Sequence, residues 1–422
     1  MTPRSAPTVF DPPAPAAGVQ PSVKGFAALD RVRAFVAEIA RPAAVDHARR
    51  HGDTAFALGP DGRMPASLLR LKSSMQQASA EAGLYTPHLP VEDGGLGLDL
   101  VDCFYLQEEV YRHGLDGVQW MLAWTDGPTH LVRNWSSESR AEHLGELLAG
   151  RRNVAFALTE PGVGSDFPSL TTAARPLGDG AWELEGTKHL ITGAPHAELA
   201  QVFTRVEGAD RGRLTSFVVP LDAEGVTRGP VQQTIMADGQ TGSIVLDCVR
   251  LPGTALAGAE GEAMRDALVW INWARTRRGG MCSGLALHCL QRSIDHARRR
   301  QAFDRPIVGF GAVEQMISDM YIDWVGMRAV SLELLARLDQ VELLTGRVPA
   351  AARRDVSVIK TVNDEALFRV ADRAIQVHGG AGLLTATGLE KIFRVARNLR
   401  IPAGTSEIQR AGIAQAIADH GL

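Results

Sequence analysis

The sequence predicts an α+β chain in three parts: an N-terminal helical domain, a middle antiparallel β domain and a C-terminal four-helix bundle. Three observations predict it. Apolar residues recur at three and four up to about residue 152, alternate over residues 153–259, and return to the helical period from residue 260. Prolines and glycines cluster within and between these stretches. The last stretch holds helical runs longer than 20 residues.

Taken in order, residues 1–25 are rich in Pro and Ala and read as a flexible lead-in, neither signal peptide nor transit helix. Residues 26–152 form the helical domain, opening on Leu29, Val32, Phe35, Val36 and Ile39 at helical spacing. Pro87, Pro90 and the cluster Gly94, Gly95 and Gly97 place a loop before a helix near Leu100–Tyr111. Residues 153–259 carry strand-like runs at 154–158, 201–206, 216–220 and 243–250, separated by Gly, Asp and Pro. Residues 260–422 carry long helices at 312–338 and 354–377, punctuated by Pro306, Pro349, Gly379-Gly380 and Pro402.

Composition narrows the function classes. The hydrophobic fraction is 45%, the charged fraction 22% and the net charge -4. That balance is globular and offers no field for nucleic acid or anionic membranes. No apolar run reaches the roughly 18 residues of a membrane helix. Cys103, Cys248, Cys282 and Cys289 form neither a disulfide framework nor a zinc pair. Cys282 and Cys289 fall on one helix face and are expected to be buried. Nothing marks export, so a cytoplasmic location is expected.

Four segments carry possible chemistry. The run 158–166 follows a strand and contains Gly162 and Gly164. Such a turn lets a ligand approach the backbone, or is simply a turn. Arg292, Arg298, Arg299 and Arg300 crowd a helix end, where they compensate the helix dipole or clamp a diphosphate. Residues 376–382 end a helix in glycines, with His378 read as a structural histidine. Residues 404–410 open the last helix with capping residues and an acidic first turn. A helix-opening GxGxxG after a strand, GxxxxGK[ST], HExxH and GxSxG are all absent, which argues against Rossmann, P-loop, zinc-protease and serine-hydrolase chemistry.

The order TEPGVGSD, GTKHLIT, RRQAFDRPI, QVHGGAG and AGTSEIQR resembles the acyl-CoA dehydrogenase family over roughly residues 30–415. The resemblance implies FAD as cofactor and an acyl-CoA or acyl-carrier thioester as substrate. It places Phe156, Leu158, Thr159, Gly164 and Ser165 along the flavin, with Ser165 also touching the thioester. Leu190, Ile191 and Thr192 would lie against the isoalloxazine. Arg300, Ala302, Phe303, Gln376, Val377, Gly379 and Gly380 would hold the diphosphate and adenosine. The arginine loop would come from a neighbouring subunit, which implies a homodimer or homotetramer. Thr405 and Glu407 would complete the cofactor site. Asn272, Arg275, Arg328 and Gly404 match substrate-side positions. An electron-transfer flavoprotein is the implied electron acceptor, and fatty acid metabolism the implied setting.

One departure bears on chemistry. The family's catalytic Glu falls at Ala403, and the alternative position on an earlier helix falls at Ala274. Ala403 retains only its backbone N–H for carbonyl polarisation. Asp126 is the candidate substitute base, or a solvated turn residue ahead of Gly127-Pro128. Leu190 replaces the usual flavin-stacking aromatic, and Gly311 a usual FAD-contacting Gln. Three readings follow: α,β-dehydrogenation with a displaced base, altered chemistry on an acyl thioester, or a non-catalytic subunit beside an active paralogue.

Overall fold

The computed structural model describes residues 18–123, 127–338, 343 and 348–421. The first part contains α1 (Val23–Phe35), α2 (Arg41–His51), α3 (Ala66–Glu81), α4 (Leu100–Tyr111) and α5 (Ser137–Leu148). Helix α4 has the expected bounds, because Asp99 caps it by accepting from Asp102 N. Gly94, at φ 85°, closes the short turn that precedes it.

The middle part is one sheet of β1 (Val154–Ala157), β2 (Ala173–Pro176), β3 (Trp182–Thr192), β4 (Leu199–Val206), β5 (Leu214–Pro220), β6 (Val226–Arg228), β7 (Thr241–Leu251) and β8 (Leu256–Ala257). Its order is β6-β7-β3-β2-β4-β5-β8, with β1 also on β4. Antiparallel pairing holds for β2–β3, β3–β7, β4–β5, β5–β8 and β6–β7. The pairs β1–β4 and β2–β4 run parallel. Each parallel pair has strand β3 in its connection, and parallel neighbours require such a crossover rather than a tight turn.

The last part contains α6 (Ala263–Thr276), α7 (Arg278–Arg299), a hairpin of β9 (Gln301–Ala302) and β10 (Arg305–Pro306), α8 (Gly311–Leu338), α9 (Ala350–His378), α10 (Leu389–Leu399) and α11 (Ser406–His420). Pro349 at the N-cap and Gly379, at φ 57°, set the limits of α9. Helices α7, α8, α10 and α11 pack around it.

A single core runs through both helical parts, joining Val32, Phe104 and Leu106 to Cys282, Trp324, Val356 and Leu367. Two glycines make the join between α4 and α7 close. A Cβ on Gly280 would stand 2.4 Å from Phe104 O, and one on Gly284 2.6 Å from Glu108 O. Cys282 and Cys289 are both fully buried, as their shared face predicts. The sheet keeps its own core. A smaller cluster of Leu158, Leu170, Phe203, Leu214, Ala267 and Ile271 joins sheet to α6. No described helix is long and apolar enough to cross a membrane.

Candidate active site

Strand β1 leads into the turn 158–166, and a buried ion pair fixes that turn to β3. Glu160 and Val163 exchange backbone hydrogen bonds of 3.1 Å, and His189 N donates to Thr159 O at 2.8 Å. The Glu160 carboxylate accepts from Thr171 N at 2.6 Å, Thr172 N at 2.8 Å and Lys188 Nζ at 2.7 Å. Burial works against its charge. The Lys188 ammonium, with the Thr172 hydroxyl and the Thr171 amide, overrides burial and holds Glu160 at about 2. Burial pulls Lys188 down to about 8 against the attraction of Glu160.

The outer side of this turn is open. A Cβ on Gly162 or Gly164 would meet nothing within 4 Å, and Ser165 is exposed. Next to it Leu190 is 52% exposed at φ 56°, although it lies within a strand. The register shift between Lys188 and Ile191 turns Leu190 outward. Thr192 is half-buried, while the Ile191 side chain packs into the sheet core, so only its backbone is offered to the open face. An exposed apolar side chain beside an open glycine turn fits a flat, partly apolar ring system such as FAD.

Helix α6 and the loop after α10 complete this region. The Phe156 ring stacks on Trp270 at 4.0 Å and 3°. Phe156, Val163, Trp270 and Ala403 all pack against the cluster that joins sheet to α6. Residues far apart in the chain, from two of the expected site segments and from α6, are thereby brought together. Ala403 (φ 59°) and Gly404 (φ 92°) form a left-handed turn. Arg275 Nε donates to Ala403 O at 2.8 Å, and Gln409 Nε2 to Gly404 O at 3.2 Å. Thr405 then caps α11 by accepting from Ile408 N, with Glu407 exposed in the first turn. Asn272 is buried on α6.

A second group sits at the shared end of α7 and α9. His296 stacks on His378 at 4.4 Å, and His378 Nδ1 pairs with Ala374 O, which fits its structural reading. Gln376, Val377, Gly379 and Gly380 flank His378 at the end of α9, and Arg300 follows His296 by four residues at the end of α7. Ala302 is half-buried there, and Phe303 is 89% exposed at φ 49°. Among the described residues no hydrogen bond or ion pair links this group to the β1 turn.

Two expected residues fall elsewhere. Arg328 lies in the helical core, donating to Glu108 at 2.8 and 3.2 Å. Glu108 is buried and needs a cation, so the substrate-side expectation for Arg328 gives way to a structural ion pair. Asp126 lies outside the described residues. The sequence reading did not single out Trp270, Gln409 or the Glu160–Lys188 pair. It also passed over His88 and His130, two buried rings packed on Trp273. Burial keeps both neutral, His130 at about 4 and His88 well below its usual value. The pair Glu160 and Lys188 had one visible signal: opposite charges inside two otherwise well-defined motifs.

A helical layer, a sheet and a helical bundle that meet beside an open glycine turn define a three-part fold with an open, partly apolar face on its sheet domain. The sequence profile of the acyl-CoA dehydrogenase middle domain matches residues 155–249, and that of the acyl-CoA dehydrogenase C-terminal domain matches residues 263–418. The probable acyl-CoA dehydrogenase YngJ of Bacillus subtilis is 30% identical over 340 residues, covering 79% of this chain and 87% of the relative. The 3-(aryl)acrylate reductase of Clostridium sporogenes is 28% identical over 338 residues, covering 79% and 87%. The crystal structure of glutaryl-CoA dehydrogenase from Mycobacterium smegmatis matches with a TM-score of 0.75 at 26% identity, covering 95% of this chain and 96% of that one. The chain belongs to the acyl-CoA dehydrogenase family. Its activity is of that type: FAD-dependent oxidoreduction of an acyl thioester.

Proposed function

We propose that the chain binds FAD along Phe156, Leu158, Thr159, Gly164, Ser165, Leu190, Ile191 and Thr192, with Thr405 and Glu407 completing the site. Arg300, Ala302, Phe303, Gln376, Val377, Gly379 and Gly380 of a second copy hold its diphosphate and adenosine. When bound, FAD supplies the hydride acceptor. The thioester lies between Ser165, Asn272 and the Ala403–Gly404 turn. The backbone N–H of Ala403 polarises the thioester carbonyl, and the clamp on the turn from Arg275 and Gln409 keeps that N–H in place. The observation that carries this reading is the convergence of Phe156, Val163, Trp270 and Ala403 on one apolar cluster.

Ala403 and Ala274 leave both family positions without a carboxylate. Asp126 remains the proposed base. The same two alanines favour a second reading, in which the thioester undergoes elimination, cyclisation, desulfination or oxidation without α-proton removal by a protein carboxylate. CoA and a carrier protein are both open as thioester carriers. Electron-transfer flavoprotein is the proposed acceptor.

A homodimer or homotetramer is supported by apolar residues without cover on one protomer: Phe303, and Tyr321, Ile322 and Val325 on α8. Buried free thiols at Cys103, Cys282 and Cys289 suit a reducing compartment, the cytoplasm. Anaerobic titration of purified protein with a panel of acyl thioesters, followed at the flavin absorption band, tests the proposal. Bleaching supports dehydrogenation, and turnover without bleaching supports the second reading. Protein that stays colourless after incubation with FAD overturns both.

A further inference from the structure

Arg275 carries a charge that the described residues around it leave unanswered. It stands on α6 against the Ala403–Gly404 turn, with Nε donating to Ala403 O at 2.8 Å. A Cβ on Gly404 would lie 3.0 Å from Arg275 Nη2, so the guanidinium packs directly beneath the turn. Among the described residues no carboxylate pairs with it. Its neighbours differ in this respect. Arg278 reaches Asp364 at 3.9 Å, and Lys360 reaches the same carboxylate at 2.7 Å. Burial depresses Lys360, and the charges of Arg278 and then Arg275 add to that. Burial pulls Arg275 itself down to about 10.

A part-buried guanidinium whose hydrogen-bond partner among the described residues is one backbone carbonyl keeps most of its five donors available. The side chain at 403 is a methyl group and answers none of them. We propose that the ligand supplies the missing charge: the site takes an acyl thioester whose acyl group bears a carboxylate, held by the Arg275 fork beneath the Ala403–Gly404 turn. A carboxylate matches that fork with two parallel hydrogen bonds. The assignment rests on the thioester reading above and narrows it from acyl thioesters in general to acidic ones.

Calorimetric titration of the FAD-loaded protein tests it, using matched pairs such as succinyl-CoA with butyryl-CoA and glutaryl-CoA with valeryl-CoA. The carboxylated member is expected to bind about 10- to 100-fold tighter, the range for a hydrogen-bonded charge pair. Arg275→Gln is expected to bring that ratio close to one, and Arg275→Lys to retain part of it. Ala403→Glu places a carboxylate beside the guanidinium and is expected to remove the preference with Arg275 still present. Equal affinity within the pairs, or a preference that survives both Arg275→Gln and Ala403→Glu, overturns the assignment while the thioester reading stands. Binding of neither member overturns both.

Discussion

Lys188 Nζ lies 2.7 Å from Glu160 Oε1, with both side chains out of contact with water. The pair joins the glycine turn after β1 to the strand that presents Leu190, so the open face depends on a contact within the protein interior. Lys188→Met leaves Glu160 buried and unpaired, a change that costs about 3–5 kcal/mol. The expected result in denaturant titration is a lower midpoint, together with reduced flavin content on purification. A variant with wild-type stability and full flavin content removes the pair from the argument.

The same pair sets an acid limit. The Glu160 carboxyl falls from its usual 4.5 to about 2, so the folded state holds fewer protons than the unfolded chain across that window. Its contribution is complete above 4.5 and is lost as pH drops toward 2. Stability measured across this window is expected to fall less steeply in Glu160→Gln than in the native protein, although the variant starts lower at neutral pH. Parallel slopes contradict this.

Trp270 stacks on Phe156 between the sheet and α6, and the pair fills space next to the proposed thioester site. Trp270→Ala forfeits about 0.5–1.5 kcal/mol of ring pairing beyond the lost burial. It also opens room, so the variant is expected to accept longer or bulkier acyl groups with lower KM than the native protein. A chain-length profile of KM that does not move places the stack away from the acyl group.

Gly280 tests the packing of α4 on α7. Its Cβ would meet the Phe104 carbonyl, a backbone atom that cannot rotate away. Gly280→Ala is expected to cost at least the 1–3 kcal/mol typical of overpacking, roughly, read as a drop in Tm.

Much of this architecture was legible in the chain. Capping and proline signals mark α4, α8 and α9 closely, because local chemistry decides where a helix begins and ends. Strand β3 did not show, although it carries Lys188 and Leu190. Register shifts after Leu184 and Lys188 break its alternation. A buried lysine and an exposed leucine then reverse the usual sense of the pattern. The flavin-side motifs were visible as short runs, but the contact of Phe156 with Trp270 joins distant segments and has no local signal. For Arg275 the family resemblance implied a substrate-side position. That it has no anionic partner among the described residues shows only in the structure, where Arg278 and Lys360 engage Asp364.

The last prediction concerns where one site ends and the next begins. Arg300 and Phe303 lie exposed just after α7, and among the described residues no hydrogen bond or ion pair joins them to the β1 turn of the same chain. If a second copy donates them, a defect at Arg300 and a defect at Glu160 act on opposite sides of one shared site. Arg300→Gln alone and Glu160→Gln alone are each expected to purify with little flavin. In a mixed dimer one site then carries both defects and the other carries none. Random pairing makes half of the dimers mixed, so about one site in four is intact. Coexpressed variants are therefore expected to recover flavin at about one site in four in the unseparated pool, and at about one in two in mixed dimers purified through both tags. If each chain builds its cofactor site alone, every site stays defective and mixing recovers nothing.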